Sequence, residues 1–220
     1  MGRPRQPARH AVRHTIIALL AAGCMLTAVA ARGASDGIAT LQAFLDRVQT
    51  FSADFSQQVF DENMQSIGRS SGKLYFSRPG RFRWDYGEPS PQEIVGDGKR
   101  VWFYDSELDQ VTVKAFDKAL GSTPALLLTS RRPVALDFKL RDLGGDDAGT
   151  WVELKPRTDN ASFTTIRIGF NDAVLSRMEL VDTFGQLTQL KFSVVQENPR
   201  LDPALFAFKP PAGVDIIQDR

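Results

Sequence analysis

The chain has 220 residues, 42% hydrophobic and 24% charged, which is enough apolar material for one ordinary globular domain or two small ones and excludes a disordered or fibrous protein. The formal net charge is +1, but Arg3, Arg5, Arg9 and Arg13 all precede the first acid. Loss of residues 1–31 would remove those four of 27 basic residues and none of the 26 acidic ones, leaving −3, so nothing resembles the dense basic surface that nucleic acid demands.

The arginines form a positive n-region ahead of an apolar run from Thr15 to Ala31. Small residues end that run, and Ala28-Val29-Ala30 or Val29-Ala30-Ala31 offers the small-x-small pattern of a cleaved leader, with the cut after Ala30 or Ala31. Seventeen residues rich in Ala and Gly are short and weakly apolar for a permanent membrane span. A second reading treats Ala22-Gly23-Cys24 as a lipobox, with Cys24 becoming a lipidated N-terminus. Against it, Ala21 stands where Leu is usual, and Met25-Leu26-Thr27-Ala28-Val29 stays apolar where a polar tether belongs.

Cleavage would also discard His10, His14 and Cys24, which are the chain's two histidines and its one cysteine. What remains can build no Ser-His-Asp triad, imidazole shuttle, thiol nucleophile or histidine/cysteine zinc site. An enzyme would have to use a carboxylate pair, a Ser-Lys pair or an oxygen-ligated metal. The acidic clusters Asp61-Glu62-Asn63, Gly96-Asp97-Gly98 and Gly145-Asp146-Asp147 read better as solvated turns, and no calcium-loop spacing is present.

In chain order, Ser35 and Asp36 are candidate N-caps for an amphipathic helix of about twelve residues, with Ile38, Leu41, Phe44, Leu45 and Val48 on one face. The period then falls to two. Strands are expected around Phe51–Phe55, Leu74–Phe76 and Phe82–Tyr86, and a hairpin joins Glu93–Val95 to Val101–Tyr104 through Asp97-Gly98. Strand-like runs follow at 110–114, 135–141, 150–154, 163–170, 174–181 and 186–195, with turns at Leu143-Gly144-Gly145 and Phe170-Asn171-Asp172. Ser122-Thr123-Pro124 caps a short helix over Ala125–Leu128, and Asp202-Pro203-Ala204 marks a further brief turn.

About ten strands with no βαβ alternation argue for a single antiparallel meander curled towards a barrel. All 15 Phe, 3 Tyr and 3 Trp follow the leader. They either fill the barrel or line a cavity, and pattern leaves both open.

Lys73 to Tyr86, with Leu74-Tyr75-Phe76-Ser77-Arg78-Pro79 and then Phe82-Arg83-Trp84, resembles the periplasmic outer-membrane lipoprotein carrier proteins of Gram-negative bacteria, the LolA family. The resemblance continues through Asp97-Gly98-Lys99 with Val101-Trp102-Phe103-Tyr104, and Gly121-Ser122-Thr123-Pro124. It ends at Phe206-Ala207-Phe208-Lys209-Pro210-Pro211-Ala212-Gly213-Val214, so it spans essentially all of residues 32–220.

The resemblance implies a mainly β protein with a few helices: an unclosed antiparallel β-barrel, or half-barrel, under a helical lid. It implies a single carrier domain over 32–220, located in the periplasm, monomeric, without enzymatic activity, cofactor or metal. The cargo would be acylated lipoproteins, taken from an inner-membrane lipoprotein-releasing ABC transporter and passed to an outer-membrane receptor. By the same resemblance Arg78 latches the lid through helix carbonyls. Leu45, Trp84, Leu126 and Leu128 line the acyl-chain cavity, and Phe82 lies near its mouth, where it affects exchange with the transporter. Read without the family, Arg78 is a strand-end charge and the apolar residues are ordinary core. Ala125 replaces a bulky residue frequent in the family, which implies a looser lid or a roomier cavity. The alternative function is the outer-membrane receptor of the same fold, lipidated at Cys24.

Overall fold

The computed structural model of the chain describes residues 36–87, 89–116, 124–130, 132–146, 149–158 and 161–218. The expected leader with Cys24, the N-cap candidates Ser35, Ser122 and Thr123, and Asp147 lie outside the described residues. Asp36 opens the first element: its carboxylate accepts the N–H groups of Ile38 at 2.8 Å and Ala39 at 3.2 Å, satisfying two donors that a helix start leaves free. Helix α1, Gly37–Arg47, buries Leu41 and Phe44 and leaves Gln42, Asp46 and Arg47 exposed. Its first residue has to be small. A Cβ at Gly37 would overlap the carbonyl oxygen of Trp151, and the Gly37 N–H donates to Asp142 at 2.9 Å.

Twelve strands follow among the described residues. The first six are β1 Thr50–Phe60, β2 Ser66–Ser77, β3 Arg81–Tyr86, β4 Gln92–Asp97, β5 Arg100–Asp105 and β6 Gln110–Ala115. The others are β7 Phe138–Asp146, β8 Gly149–Pro156, β9 Phe163–Asn171, β10 Val174–Asp182, β11 Leu187–Glu197 and β12 Asp215–Gln218. They make one sheet in the order β12-β6-β5-β4-β3-β2-β1-β11-β10-β9-β8-β7. The single meander expected from sequence is therefore two, β1–β6 and β7–β11, joined where β1 pairs with β11 because the chain crosses over after β6 instead of adding β7 beside it. The ends β12 and β7 do not pair, so the barrel is unclosed. Strand β12, which no sequence signal announces, lies parallel to β6.

Local chemistry sets the turns. Asp97 accepts the N–H groups of Lys99 and Arg100, both at 2.7 Å, and Gly98 takes a φ of 92° between β4 and β5. Between β9 and β10, Asp172 and Ala173 both have positive φ, as a two-residue loop matched to strand twist requires. Two local expectations also need correction. The strand expected from Ala135 starts only at Phe138, because Val134–Asp137 forms a one-turn helix after Pro133; four residues are too few for a period to tell strand from helix. The turn expected at Leu143-Gly144-Gly145 is a bulge instead. Gly144, with φ 76°, absorbs a register shift after Asp142, and β7 continues to Asp146.

Alternation directs one face of the sheet inward. Phe51 and Phe55 of β1, Leu74 and Phe76 of β2, and Phe82 and Trp84 of β3 join Ile166, Ile168 and Phe170 of β9 in one buried cluster. Helix α1 lies over β7, β8 and β9, and helix α2, Pro124–Thr129, lies over β2 and β3. Leu41, Phe44 and Val48 from the first, and Leu127 and Leu128 from the second, complete the cluster. The opposite face carries its own cover. Asp202 caps a 3-10 turn, Pro203–Phe206, that packs on β3 and β4, and Phe208 rests on Trp102 at 5.5 Å and Tyr104 at 6.0 Å.

Candidate functional site

Helices α1 and α2 lie over opposite halves of the sheet, and their C-terminal ends meet at the β2–β3 connection. A helix leaves its last four carbonyls without intrahelical partners. Here Arg78, directly after β2, supplies the donors. Its Nε donates to the Leu128 carbonyl of α2 at 2.8 Å, and its Nη1 donates to the Val48 carbonyl at 2.6 Å and to the Leu45 carbonyl, both at the end of α1. A planar guanidinium suits this task because five fixed N–H donors can serve several acceptors at once, whereas an ammonium offers one compact point. The backbone strengthens the same junction: Arg78 N–H donates to Gln49 at 2.9 Å and Gly80 N–H to Thr129 at 3.1 Å.

Arg78 is only 6% exposed. Its guanidinium lies 5.5 Å from the Phe44 ring centre and 5.2 Å from that of Phe76, a cation–π setting supplied by α1 and β2. Burial pulls its pKa down to about 10, an effect that nearby Asp46 partly opposes, so the group remains charged at neutral pH. Nη2 is buried and has no hydrogen-bond partner among the described residues. Each bond from a charged donor contributes about 1.5–3 kcal/mol, while an unmatched buried donor costs an amount of the same order. The junction is thus held firmly but carries a built-in penalty.

The other residues singled out from sequence divide in three. Leu45 is half-buried against the core, Leu128 is fully buried in it, and Trp84, 2% exposed, sits on β3 of the inner face. Leu126 lies within α2, but its side chain is outside the described residues. Phe82, expected near the cavity mouth, is 0% exposed, and a Cβ on facing Gly96 would overlap its ring. Its place in the β3 alternation puts it beneath the lid.

The partners of these residues were missed from sequence. Phe55 packs against Trp84 at 5.3 Å and against Tyr86 at 5.1 Å, and the Tyr86 hydroxyl donates to Gln57 at 3.2 Å. Burial raises the pKa of Tyr86 to about 12. One strand over, Ile94, Phe103 and Thr112 floor a depression of about 220 Å³ whose rim includes Gln92, Asp105 and Gln110. The carbonyls of Leu45, Val48 and Leu128 carry no sequence signal at all, because every residue has one.

On the outer face Glu153 is buried beneath Arg141 at 2.9 Å and Arg167 at 3.3 Å. Burial alone would push its pKa up, but these arginines and Lys155 outweigh it and hold the carboxylate below its usual range. Cross-strand register continues the pattern through Arg167 to Glu179 and Gln189, a structural charge ladder. Among the described residues no group of three or more His, Cys, Asp or Glu could hold a metal ion, and no helix is long and apolar enough to cross a membrane.

A family model described as "Outer membrane lipoprotein carrier protein LolA" matches residues 46–209. The chain is 46% identical over 186 residues to an outer-membrane lipoprotein carrier protein of Nitrosomonas europaea, covering 84% of this chain and 90% of that one. It is 44% identical over 180 residues to the protein of that name from Methylococcus capsulatus, covering 82% and 86%. Among solved structures, an uncharacterised conserved protein of Thermus thermophilus superposes with a TM-score of 0.50 at 16% identity, covering 82% of this chain and 99% of that one, a likeness of fold.

Proposed function

This chain belongs to the LolA family of outer membrane lipoprotein carrier proteins, and from that membership we propose how it acts: it shields the acyl chains of lipoproteins beneath a lid that Arg78 latches. It is a periplasmic carrier and not an enzyme. Residues 1–31 are its removed leader, and 32–220 act as one domain and as a monomer. Cargo comes from an inner-membrane lipoprotein-releasing ABC transporter and goes to an outer-membrane receptor.

The observation that carries this reading is the position of Arg78, bound to the carbonyl ends of two helices that roof one apolar interior. Each methylene exposed to water costs about 0.8 kcal/mol, so an acylated protein cannot cross an aqueous space unshielded at useful rates. In the latched state Phe44, Leu128 and the inner-face aromatics cover one another. Release of the Arg78 bonds frees both helix ends together, and the apolar faces of α1 and α2 then trade their contacts with the sheet for contacts with acyl chains. Leu45, Trp84, Leu126 and Leu128 line that space. Phe82, covered when the lid is shut, is uncovered for exchange with the transporter when it opens. The unmatched Nη2 and the burial of the charge keep the latched state from being so stable that cargo could not displace it.

The test is to mix the purified protein with a lipoprotein in acylated and non-acylated forms. The expected result is a soluble one-to-one complex with the acylated form only. Equal association with both forms would show that acyl shielding is the wrong mechanism.

A further inference from the structure

An apolar interior alone cannot distinguish an acyl ester from any other greasy chain, and besides Arg78 Nη2 the inner face holds a second buried donor with no partner among the described residues. Trp84 is 2% exposed, its Nε1 is buried, and that N–H has no hydrogen-bond partner among the described residues. Tyr86 stacks on the indole at 6.3 Å, its own hydroxyl engaged by Gln57. Phe55 packs across the indole, and Leu74 and Ile94 flank it in register on β2 and β4. An unmatched buried donor costs about 1–3 kcal/mol, and phenylalanine would fill much of the same space without that cost.

The neighbouring surface has a matching polarity gradient. Register carries the inner face from Trp84 to Ile94, then Phe103 and Thr112, which floor the depression of about 220 Å³ with its polar rim at Gln92, Asp105 and Gln110. Gln92 and Asp105 already bond one another at 3.0 Å, so the rim is set. Trp84, paired in register with Ile94, is thus one strand from that floor on the same face, with the boundary between apolar floor and polar rim beyond it. A ligand suited to that boundary has a hydrocarbon chain on one side, a polar head on the other, and an acceptor without a donor at the junction. A glycerol-linked fatty acyl ester has that form, and its carbonyl complements a group that can only donate.

We propose that Trp84 Nε1–H donates a hydrogen bond to an ester carbonyl of the bound acyl chains, making Trp84 the residue that selects acyl esters over plain hydrocarbon. This rests on the carrier reading above. The selectivity is modest, because a single neutral hydrogen bond is worth about 0.5–1.5 kcal/mol net.

The test uses two soluble probes: a cysteine peptide bearing a glyceryl group with two octanoyl esters, and its counterpart with two octyl ethers. Both are titrated into protein ¹⁵N-labelled at tryptophan, with Trp102 on the outer face as reference. The ester probe is expected to move the Trp84 indole resonance downfield and the ether probe to leave it near its free position. Trp84→Phe is expected to weaken the ester probe about fivefold and the ether probe hardly at all. Equal affinity and equal shifts for both probes would overturn the proposal and leave the carrier reading intact, and so would equal weakening of both by Trp84→Phe. Failure of wild-type protein to hold either probe would overturn the carrier reading and this inference together.

Discussion

Arg78 and Val48 stand 30 positions apart in the chain, yet a 2.6 Å bond from guanidinium Nη1 to backbone carbonyl joins them at the point where α1 ends. The same side chain reaches Leu128, 50 positions onward, so one residue closes two helix ends at once. Replacing it with leucine removes donors from three carbonyls and also removes a buried charge. For Arg78→Leu we expect a net loss of about 1–3 kcal/mol with the sheet intact. Amide exchange should quicken by about tenfold in α1 and α2 and change little in β8–β10. Uniform acceleration across the sheet would mean that Arg78 holds the whole fold and not the lid.

Phe82 and Gly96 form a matched pair on β3 and β4, with the ring occupying the space that a side chain at 96 would need. Gly96→Ala is therefore expected to destabilise by about 1–3 kcal/mol through overpacking. Adding Phe82→Leu should recover part of that loss, and denaturant unfolding of the single and double variants measures the coupling. Strictly additive losses would show that the two positions do not share the space.

Glu153 gives the pH dependence its sign. Its folded pKa lies below the unfolded value, so the unfolded chain takes up the proton first. The stabilisation is complete above the ordinary carboxylate range and is lost as pH falls through the folded value. Glu153→Gln should cost about 1 kcal/mol at pH 7, since Arg141 and Arg167 can turn to water, and should flatten the acid limb of the stability profile. Thermal melts from pH 7 to pH 3 decide this, and an unchanged acid slope would contradict it.

The N-terminal reading is checked by the mass of the exported protein. We expect a first residue at Ala31 or Arg32 and no acyl group. An acylated Cys24 would make this the receptor of the pathway instead of its soluble carrier.

Helix α1, the succession of strands and the Asp97-Gly98 turn are legible in the sequence because each rests on a local signal: Asp36 as a cap, a period change at Thr50, a glycine with positive φ; the split into two meanders is not, since it depends on β11 returning to pair with β1. Strand β12 is not legible, since its four residues are all exposed and owe their place to pairing with β6. Nor does any local signal separate Val134–Asp137 from the strand that follows. At the site, Arg78 alone reads as a strand-end charge, and the latch role proposed for it rests on the family resemblance. Its acceptors are backbone atoms brought in from 30 and 50 positions away, and no side-chain pattern encodes them. The buried setting of Phe82 became visible only through Gly96 on the next strand.

If acyl chains lie beneath the lid, photocross-linking reads their place most directly. A benzophenone amino acid is placed at Leu45, under the edge of α1, and separately at Tyr104 on the outer face beside Phe208. The cargo is a lipoprotein labelled in its fatty acids. Labelled acyl chains are expected to couple to position 45 and not to position 104. Equal coupling at both sites, or coupling at 104 alone, would contradict the account.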